Sequence, residues 1–523
     1  MTMKMLRSIG LILFLGSLGL FLSLFFMSDY TLTSTIFNSK VKLEHQEVLR
    51  PAMEEVFNKN YPNTFSFANM ISEKVNLVNE QFRQAQQWDK VIYDDYVGSL
   101  TKAATSGVVV THTWLLFMLV FGVGVIGALL FILPKAQLEP AGIKNNGIFH
   151  NALNNRGWIG IVIGTLLIGF YIIIYFYDAY IMNWIILVEP LKKVIVPDGE
   201  SSQWFLYGFL YTFAVLVMGA RMIVKYRHSK YQIFRTISVM FFQLALAFLI
   251  PEILVRLNQP YFDFKNMWPL DYDFFDAWHI NMLTTAGGIG IFMFAWGISL
   301  FLIGVPVFVY FFGKRWYCSW VCGCGGLAET AGDPFRHLSD KSLKAWKIER
   351  WLVHGVLVFA IIMTGAVLYN FISGTSSIFG LDTYTYLRRP YGFMIGSIFS
   401  GVVGTGFYPF MGNRVWCRFG CPLAAYLGLV QRFKSRFRIT TNGGQCISCG
   451  NCSTYCEMGI DVRWYAQRGQ NIIRSSCVGC GVCSSVCPRG VLNLEAKDEK
   501  GRFGQPILLG NNHVDLPKIK AVN

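Results

Sequence analysis

The apolar positions of this chain gather in long runs rather than in alternating or one-faced patterns. A helix needs about 20 apolar residues to cross a bilayer. Eight runs meet that length: residues 6–28, 109–133, 157–179, 205–225, 234–256, 287–312, 351–373 and 392–411. The first follows Lys4 and Arg7 and has no A-x-A cleavage site after it. Residues 1–28 therefore read as a signal anchor. Residues 29–108 scatter apolar positions among Glu, Gln, Asn and Lys, as in VNLVNEQFRQAQQWDKV, which predicts an external helical segment. Residues 257–286 are rich in aromatic and acidic positions and are expected at the outer interface.

This pattern divides the chain in order. After the anchor and the external segment come spans two to five within 109–256, the 257–286 loop, and spans six to eight within 287–430. A compact Cys- and Gly-rich domain over 431–495 and a polar tail over 496–523 follow. The fold class is an α-helical membrane protein of about eight transmembrane helices with a C-terminal α+β domain.

Composition agrees. Hydrophobic residues make up 53% of the chain and charged residues 15%, against roughly 25% charged in soluble domains. A single soluble domain, a fibrous protein and a disordered chain are excluded. The net charge of +15 does not call for nucleic acid, because the cations collect in short loops between spans. Arg221, Lys225, Arg227, Lys230 and Arg235 form one group; Lys135, Lys144 and Arg156 another; Lys314, Arg315, Arg336, Lys341, Lys344, Lys347 and Arg350 a third. The positive-inside bias puts these loops and both termini in the cytoplasm. The loop carrying Asp263, Asp271, Asp273 and Asp276 then lies outside, and Arg388 and Arg389 are a mild exception.

All thirteen cysteines lie at or after Cys318, so one region is built to ligate something. Cys446, Cys449, Cys452 and Cys456 have the spacing C-x2-C-x2-C-x3-C, and Cys477, Cys480, Cys483 and Cys487 repeat it with Pro488 following. This is the bacterial two-cluster ferredoxin run, in which three close thiolates hold one cubane and the fourth reaches across to the other. The pattern assigns Cys446, Cys449, Cys452 and Cys487 to one [4Fe–4S] cluster, and Cys477, Cys480, Cys483 and Cys456 to a second. Gly450, Gly479 and Gly481 allow the tight loop. A four-thiolate zinc site is the competing reading, and it leaves four regularly spaced cysteines idle. Glu457 stands where this pattern usually has proline.

A second repeat precedes the first. Gly313-Lys-Arg315-Trp-Tyr-Cys318-Ser-Trp-Val-Cys322 aligns with Gly412-Asn-Arg414-Val-Trp-Cys417-Arg-Phe-Gly-Cys421 at an offset of 99 residues, each just past a span. Repeats in membrane proteins often frame a site at their interface. Cys318, Cys322, Cys417 and Cys421 are therefore candidates for a further metal site or for redox thiols. Structural thiols at a helix exit are the bland alternative. Cys324 has no assigned role.

Twin C-x3-C motifs at the membrane edge, followed by a two-cluster ferredoxin domain, resemble the NapH/NosR-type membrane polyferredoxins, a group related to the oxidase accessory protein CcoG (RdxA/FixG). The likeness covers roughly residues 287–490. It implies an inner-membrane electron-transfer protein serving a respiratory or maturation pathway. Gly323 departs from the proline often found there, the 29–108 segment has no flavin-attachment motif unlike NosR, and no extra C-terminal domain follows unlike CcoG.

Other features read blandly. Gly122, Gly124 and Gly127 match a dinucleotide fingerprint but lie inside an apolar span, where helix packing explains them. His112, His279 and His354 fall near helix ends, so haem is not expected. Glu252 near the end of a span suits a snorkelling residue better than a quinone or proton path. The leading expectation is a membrane-bound iron–sulfur protein passing single electrons between a cytoplasmic donor and a membrane or respiratory acceptor. Its partners would be the bilayer and soluble or membrane redox proteins, with quinone a candidate. The alternative is an assembly factor that reduces a metal or thiol during maturation of a respiratory enzyme.

Overall fold

A computed structural model describes residues 2–142 and 157–496 of the chain. Lys144, Arg156 and the tail from residue 497 lie outside the described residues. The chain divides into two compact units, Met1–Leu138 with Phe170–Leu210, and Glu139–Gly169 with Tyr211–Asn523.

Seven helices are long and apolar enough to cross a membrane: Met3–Phe26, Thr113–Leu138, Trp158–Phe176, Gln203–Lys225, Lys230–Arg256, Gly288–Phe312 and Leu343–Ser373. The chain is thus a mostly helical protein compatible with multi-pass insertion. The segment expected as the eighth span is helical over 392–406 and, after a turn at Phe407, over Tyr408–Met411, but it is not among the seven. Its glycines dilute the apolar run. They also permit close packing: a Cβ on Gly406 would stand 2.6 Å from Ile168, and one on Gly396 would stand 2.6 Å from the Tyr272 hydroxyl.

In the first unit, the Met3–Phe26 and Thr113–Leu138 helices meet at glycines. A Cβ on Gly127 would fall 2.6 Å from the Phe14 nitrogen, and one on Gly10 2.6 Å from the Gly127 carbonyl. The Gly122–Gly127 pattern is therefore a packing surface. Residues 29–108 are helical, as expected, and also contain a small antiparallel sheet in which Asp29–Thr31 lies between Asn60–Tyr61 and Thr105–Ser106. Tyr30, Phe37, Leu49, Phe67, Ile71 and Leu100 fill its core.

In the second unit, residues 257–286 do not behave as an interface belt. Their middle packs along the Gly288–Phe312 helix. Trp296 donates its indole N–H to the Phe264 carbonyl at 2.9 Å, Phe274 stacks on Phe294, and Trp268 meets Phe301. Further on, Trp268 donates to Thr364 and the Tyr317 hydroxyl donates to the Lys265 carbonyl, both at 2.9 Å. Irregular backbone packed against a long apolar helix needs partners for its polar groups, and the bonds to the Phe264 and Lys265 carbonyls are two of them. Phe262, Phe274 and Trp268 are packing residues, whereas Tyr261 and Trp278 stay exposed. Arg388, the exception to the charge rule, pairs with Asp273 and Asp276 of this segment.

The C-terminal domain is built on a two-stranded antiparallel sheet, Phe437–Thr441 against Leu492–Ala496, with Phe437 opposite Ala496 and Thr441 opposite Leu492. This pairing brings the two cysteine loops together. The domain is clamped to the helical bundle by side chains that donate to its loop carbonyls. Gln232 bonds Cys480, Tyr231 bonds Gly479, Ser319 bonds Val478, and Gln431 bonds Arg474 and Cys477, at 2.7–2.9 Å.

Candidate metal centres

Each cysteine loop closes through residues in the left-handed region. Gly479 and Gly481 have φ +61° and +74°, and in the first repeat Ser448 and Gly450 take the same turns at +60° and +79°. A serine in that conformation carries strain of roughly 1–3 kcal/mol, so the first loop holds its shape against its own sequence. After each turn a short helix starts, Asn451–Thr454 in one repeat and Val482–Ser485 in the other.

The eight ferredoxin-pattern cysteines surround two separate cavities, and the fourth cysteine of each run crosses over. Cys446, Cys449, Cys452 and Cys487 line one small cavity. Cys456, Cys477, Cys480 and Cys483 line the other. The twin motif also converges. Cys318, Cys322, Cys417 and Cys421, joined by Cys324, line a third small cavity with Tyr317, Trp416 and Leu270. Leu270 comes from the inward-packed 257–286 segment. Twelve of the thirteen cysteines belong to one contiguous core, and only Cys449 is exposed.

The repeated Gly explains how the twin cysteines meet. Gly313 and Gly412 end their helices at φ +71° and +90°. A Cβ would strike Phe437 at 2.6 Å from the first and the Ser339 backbone nitrogen at 2.8 Å from the second. Gly325 has a similar role: its Cβ would stand 2.0 Å from the Cys318 carbonyl.

The electrostatics were not legible in the spacing. Arg414 lies against Cys417, with a guanidinium nitrogen 3.6 Å from Sγ and 3.2 Å from the Cys318 carbonyl. Arg336 lies against Cys480, 3.8 Å from Sγ. Glu457 joins the two, accepting from Arg336 at 2.6 Å and pairing with Arg414 at 3.1 Å. Asn413 donates to the same carboxylate at 3.2 Å. Glu329 completes the network by pairing with Arg414 and Arg235, and Asp333 pairs with Arg336, Arg221 and Lys225. Burial pushes the Glu457 carboxyl up, but the Arg336 and Arg414 guanidiniums outweigh it and hold it at about 2. The residue that displaces the usual proline thus bridges the twin cavity and a ferredoxin cavity. Its signal in the sequence is that departure.

Burial holds most of the thiols in their neutral form. Burial pushes Cys452, Cys480 and Cys318 up to about 12 and Cys477 to about 11. Such groups keep their protons at neutral pH unless metal stabilises the thiolate, so metal entry releases protons. Cys322 differs: a hydrogen bond from Cys324 lowers it to about 6 against the burial that raises it. The thirteenth cysteine, Cys324, lines the same cavity as the twin motif. Backbone N–H groups of Ile460 and Ala424 point at Cys456 and Cys421 at 3.3 Å. Among the described residues no three Cys, His, Asp or Glu side chains converge closely enough for a single ion. Thiols spaced around cavities fit a polynuclear group better than zinc. His279 and His354 each face a backbone carbonyl, of Phe274 at 3.2 Å and of Arg350 at 2.6 Å.

Comparison with known proteins agrees on the chemistry. Residues 434–492 match a family described as a 4Fe-4S dicluster domain. Residues 282–342 and 391–440, which hold the twin motifs, match a family described as a 4Fe-4S binding domain. Among curated relatives, a protein of Escherichia coli (strain K12) named for electron transport, YccM, is 28% identical over 161 residues, 28% of this chain and 43% of its own length. The methylamine utilization ferredoxin-type protein MauN is 30% identical over 167 residues in Paracoccus denitrificans (strain Pd 1222), 30% of this chain and 53% of its own. MauN of Methylobacillus flagellatus (strain ATCC 51484 / DSM 6875 / VKM B-1610 / KT) is 28% identical over 162 residues, with 30% and 53% covered. The chain spans about half the length of the curated relatives it matches. No solved structure matches it. Both the cysteine spacing and these likenesses make the chain one that carries [4Fe–4S]-binding domains.

Proposed function

We propose that the chain is a membrane-bound iron–sulfur electron carrier of the NapH/NosR polyferredoxin type. In this reading Cys446, Cys449, Cys452 and Cys487 hold one cluster, and Cys456, Cys477, Cys480 and Cys483 a second. Cys318, Cys322, Cys417 and Cys421 hold a third iron–sulfur centre. The observation that carries the reading is the convergence of all these cysteines, four at a time, on three separate cavities. Bound there, a [4Fe–4S] cluster supplies one-electron chemistry at a potential set by burial, charge and hydrogen bonds to sulfur.

The chain's own residues divide the remaining work. Arg336 beside Cys480 and Arg414 beside Cys417 stabilise the added negative charge of a reduced centre and so raise its potential. Glu457 holds both guanidiniums in place. The clamps from Gln232, Ser319 and Gln431 fix the ferredoxin domain on the bundle.

The domain would sit on the cytoplasmic face of the inner membrane, with both termini in the cytoplasm and residues 392–411 counted as a crossing. Soluble or membrane redox proteins, or a quinone, would exchange electrons with it. The assembly-factor reading is less well supported. A thiol that reduces a partner must reach it, whereas Cys318, Cys322, Cys417 and Cys421 are 5–8% exposed. The test is EPR of the reduced, anaerobically purified protein. Cys480→Ser should remove one cluster signal and leave the others; an unchanged spectrum refutes the assignment.

A further inference from the structure

The second unit contains a large cavity beside the cysteine centres, sharing Cys417 with the twin site and Met458 with a ferredoxin site. It has about 690 Å³ of room for a bound molecule, within the roughly 300–1,000 Å³ typical of small-molecule sites. Its walls come from the first turns of the Leu343–Ser373 helix, the Pro422–Lys434 helix, and ferredoxin-domain residues 458–465 and 473–476.

The charge on these walls is unbalanced. Lys314, Lys341, Arg350, Arg418, Arg432 and Arg474 line the cavity, against Glu349 and Asp461. Both carboxylates are engaged. Glu349 accepts from Arg418 at 3.0 Å, and Asp461 accepts from the Ser453 hydroxyl at 2.6 Å. Lys314 is 2% exposed; its ammonium donates to the Ser475 carbonyl at 3.2 Å and, among the described residues, contacts no carboxylate, although its charge acts on Glu349. A buried ammonium in that state calls for a counter-charge. Arg350 and Arg474 both lie over the Trp346 ring, at 5.2 and 5.0 Å. Stacking fixes these guanidiniums and leaves their N–H forks available, the arrangement that suits phosphate.

Trp346, Trp464 and Tyr465 also line the cavity, and Trp464 is 43% exposed. Aromatic walls add a preference for a planar ring. Cys417, Met458 and Ser476 lie on the inner surface, next to the twin cavity and to Cys456 and Cys477.

We propose that this cavity binds a nucleotide, its phosphates held by Arg350, Arg474 and Lys314 and its ring by Trp464. Phosphate is also found on anionic lipid headgroups, but lipids offer no ring. The site stands on its own residues, whichever metal the cysteines hold. The test uses the full-length protein in detergent, titrated with NADH, ADP and inorganic pyrophosphate by calorimetry, alongside nanodiscs containing phosphatidylglycerol. NADH and ADP should bind saturably and more tightly than pyrophosphate. The double variant Arg350→Ala/Arg474→Ala should weaken both nucleotides at least tenfold while iron content and EPR signals stay unchanged. Trp464→Ala should weaken ADP but not pyrophosphate. The proposal is overturned if no nucleotide binds saturably, if the double variant binds as well as the parent, or if phosphatidylglycerol abolishes nucleotide binding. A missing cluster signal with intact nucleotide binding would count against the electron-carrier reading alone.

Discussion

The two C-x3-C repeats share a skeleton and differ in what their cations do. Both end a helix at a glycine of positive φ, and both deliver two cysteines to the same cavity. In the first repeat Arg315 is half-buried and stacks over Phe437 at 4.7 Å, on the surface that receives the ferredoxin domain. In the second, Arg414 is 1% exposed and joins Cys417, Glu329 and Glu457. The sequence duplication preserves the arginine, but one copy became a docking contact and the other an electrostatic link between centres. Repeated motifs thus supply a symmetric cradle for sulfur, while asymmetric neighbours decide how each side is tuned.

That contrast can be broken most sharply at the sulfurs. Cys417→Ser should remove the twin centre, lowering iron by about a third if three [4Fe–4S] groups are present, with the ferredoxin EPR signals retained. The arginines come next. Arg414→Met leaves Glu329 and Glu457 short of a buried partner, and breaking such pairs costs about 3–5 kcal/mol. Arg315→Met removes a stacked cation worth about 1 kcal/mol. Thermal unfolding of the two variants should therefore differ clearly, and equal losses would erase the distinction. The glycines sharpen it further. Gly412→Ala should destabilise by about 1–3 kcal/mol for left-handed backbone alone. It should cost more than Gly313→Ala, because Gly412 faces Ser339 backbone whereas Gly313 faces side chains. Glu457→Gln keeps the shape but takes the shared buried carboxylate from Arg336 and Arg414, so its stability loss should resemble that of Arg414→Met, about 3–5 kcal/mol. Its signature is electrochemical: removing a buried negative charge should raise the potentials of both the Cys417 and Cys480 centres in a redox titration.

Much of this architecture is legible in the sequence because it is local. Apolar runs mark the seven long helices, and the ferredoxin spacing foreshadows the crosswise closure around two cavities. The offset repeat points to a shared site because the two helix exits must be alike to meet. What escapes is non-local. Glu457 looks like a missing proline until Arg336 and Arg414, from distant segments, arrive on either side of it. Residues 257–286 look like an interface belt because aromatic and acidic residues suit both an interface and a buried loop. Only Trp268 meeting Thr364, and Tyr317 meeting the Lys265 carbonyl, tell these apart. Cys324 gains its place as a wall residue of the twin cavity, which spacing alone does not single out.

The most direct measurement is iron and acid-labile sulfide per chain in anaerobically purified protein. The account predicts about twelve atoms of each, four for every cysteine cavity. A value near eight would contradict the twin centre, and colourless protein carrying zinc would contradict the account as a whole.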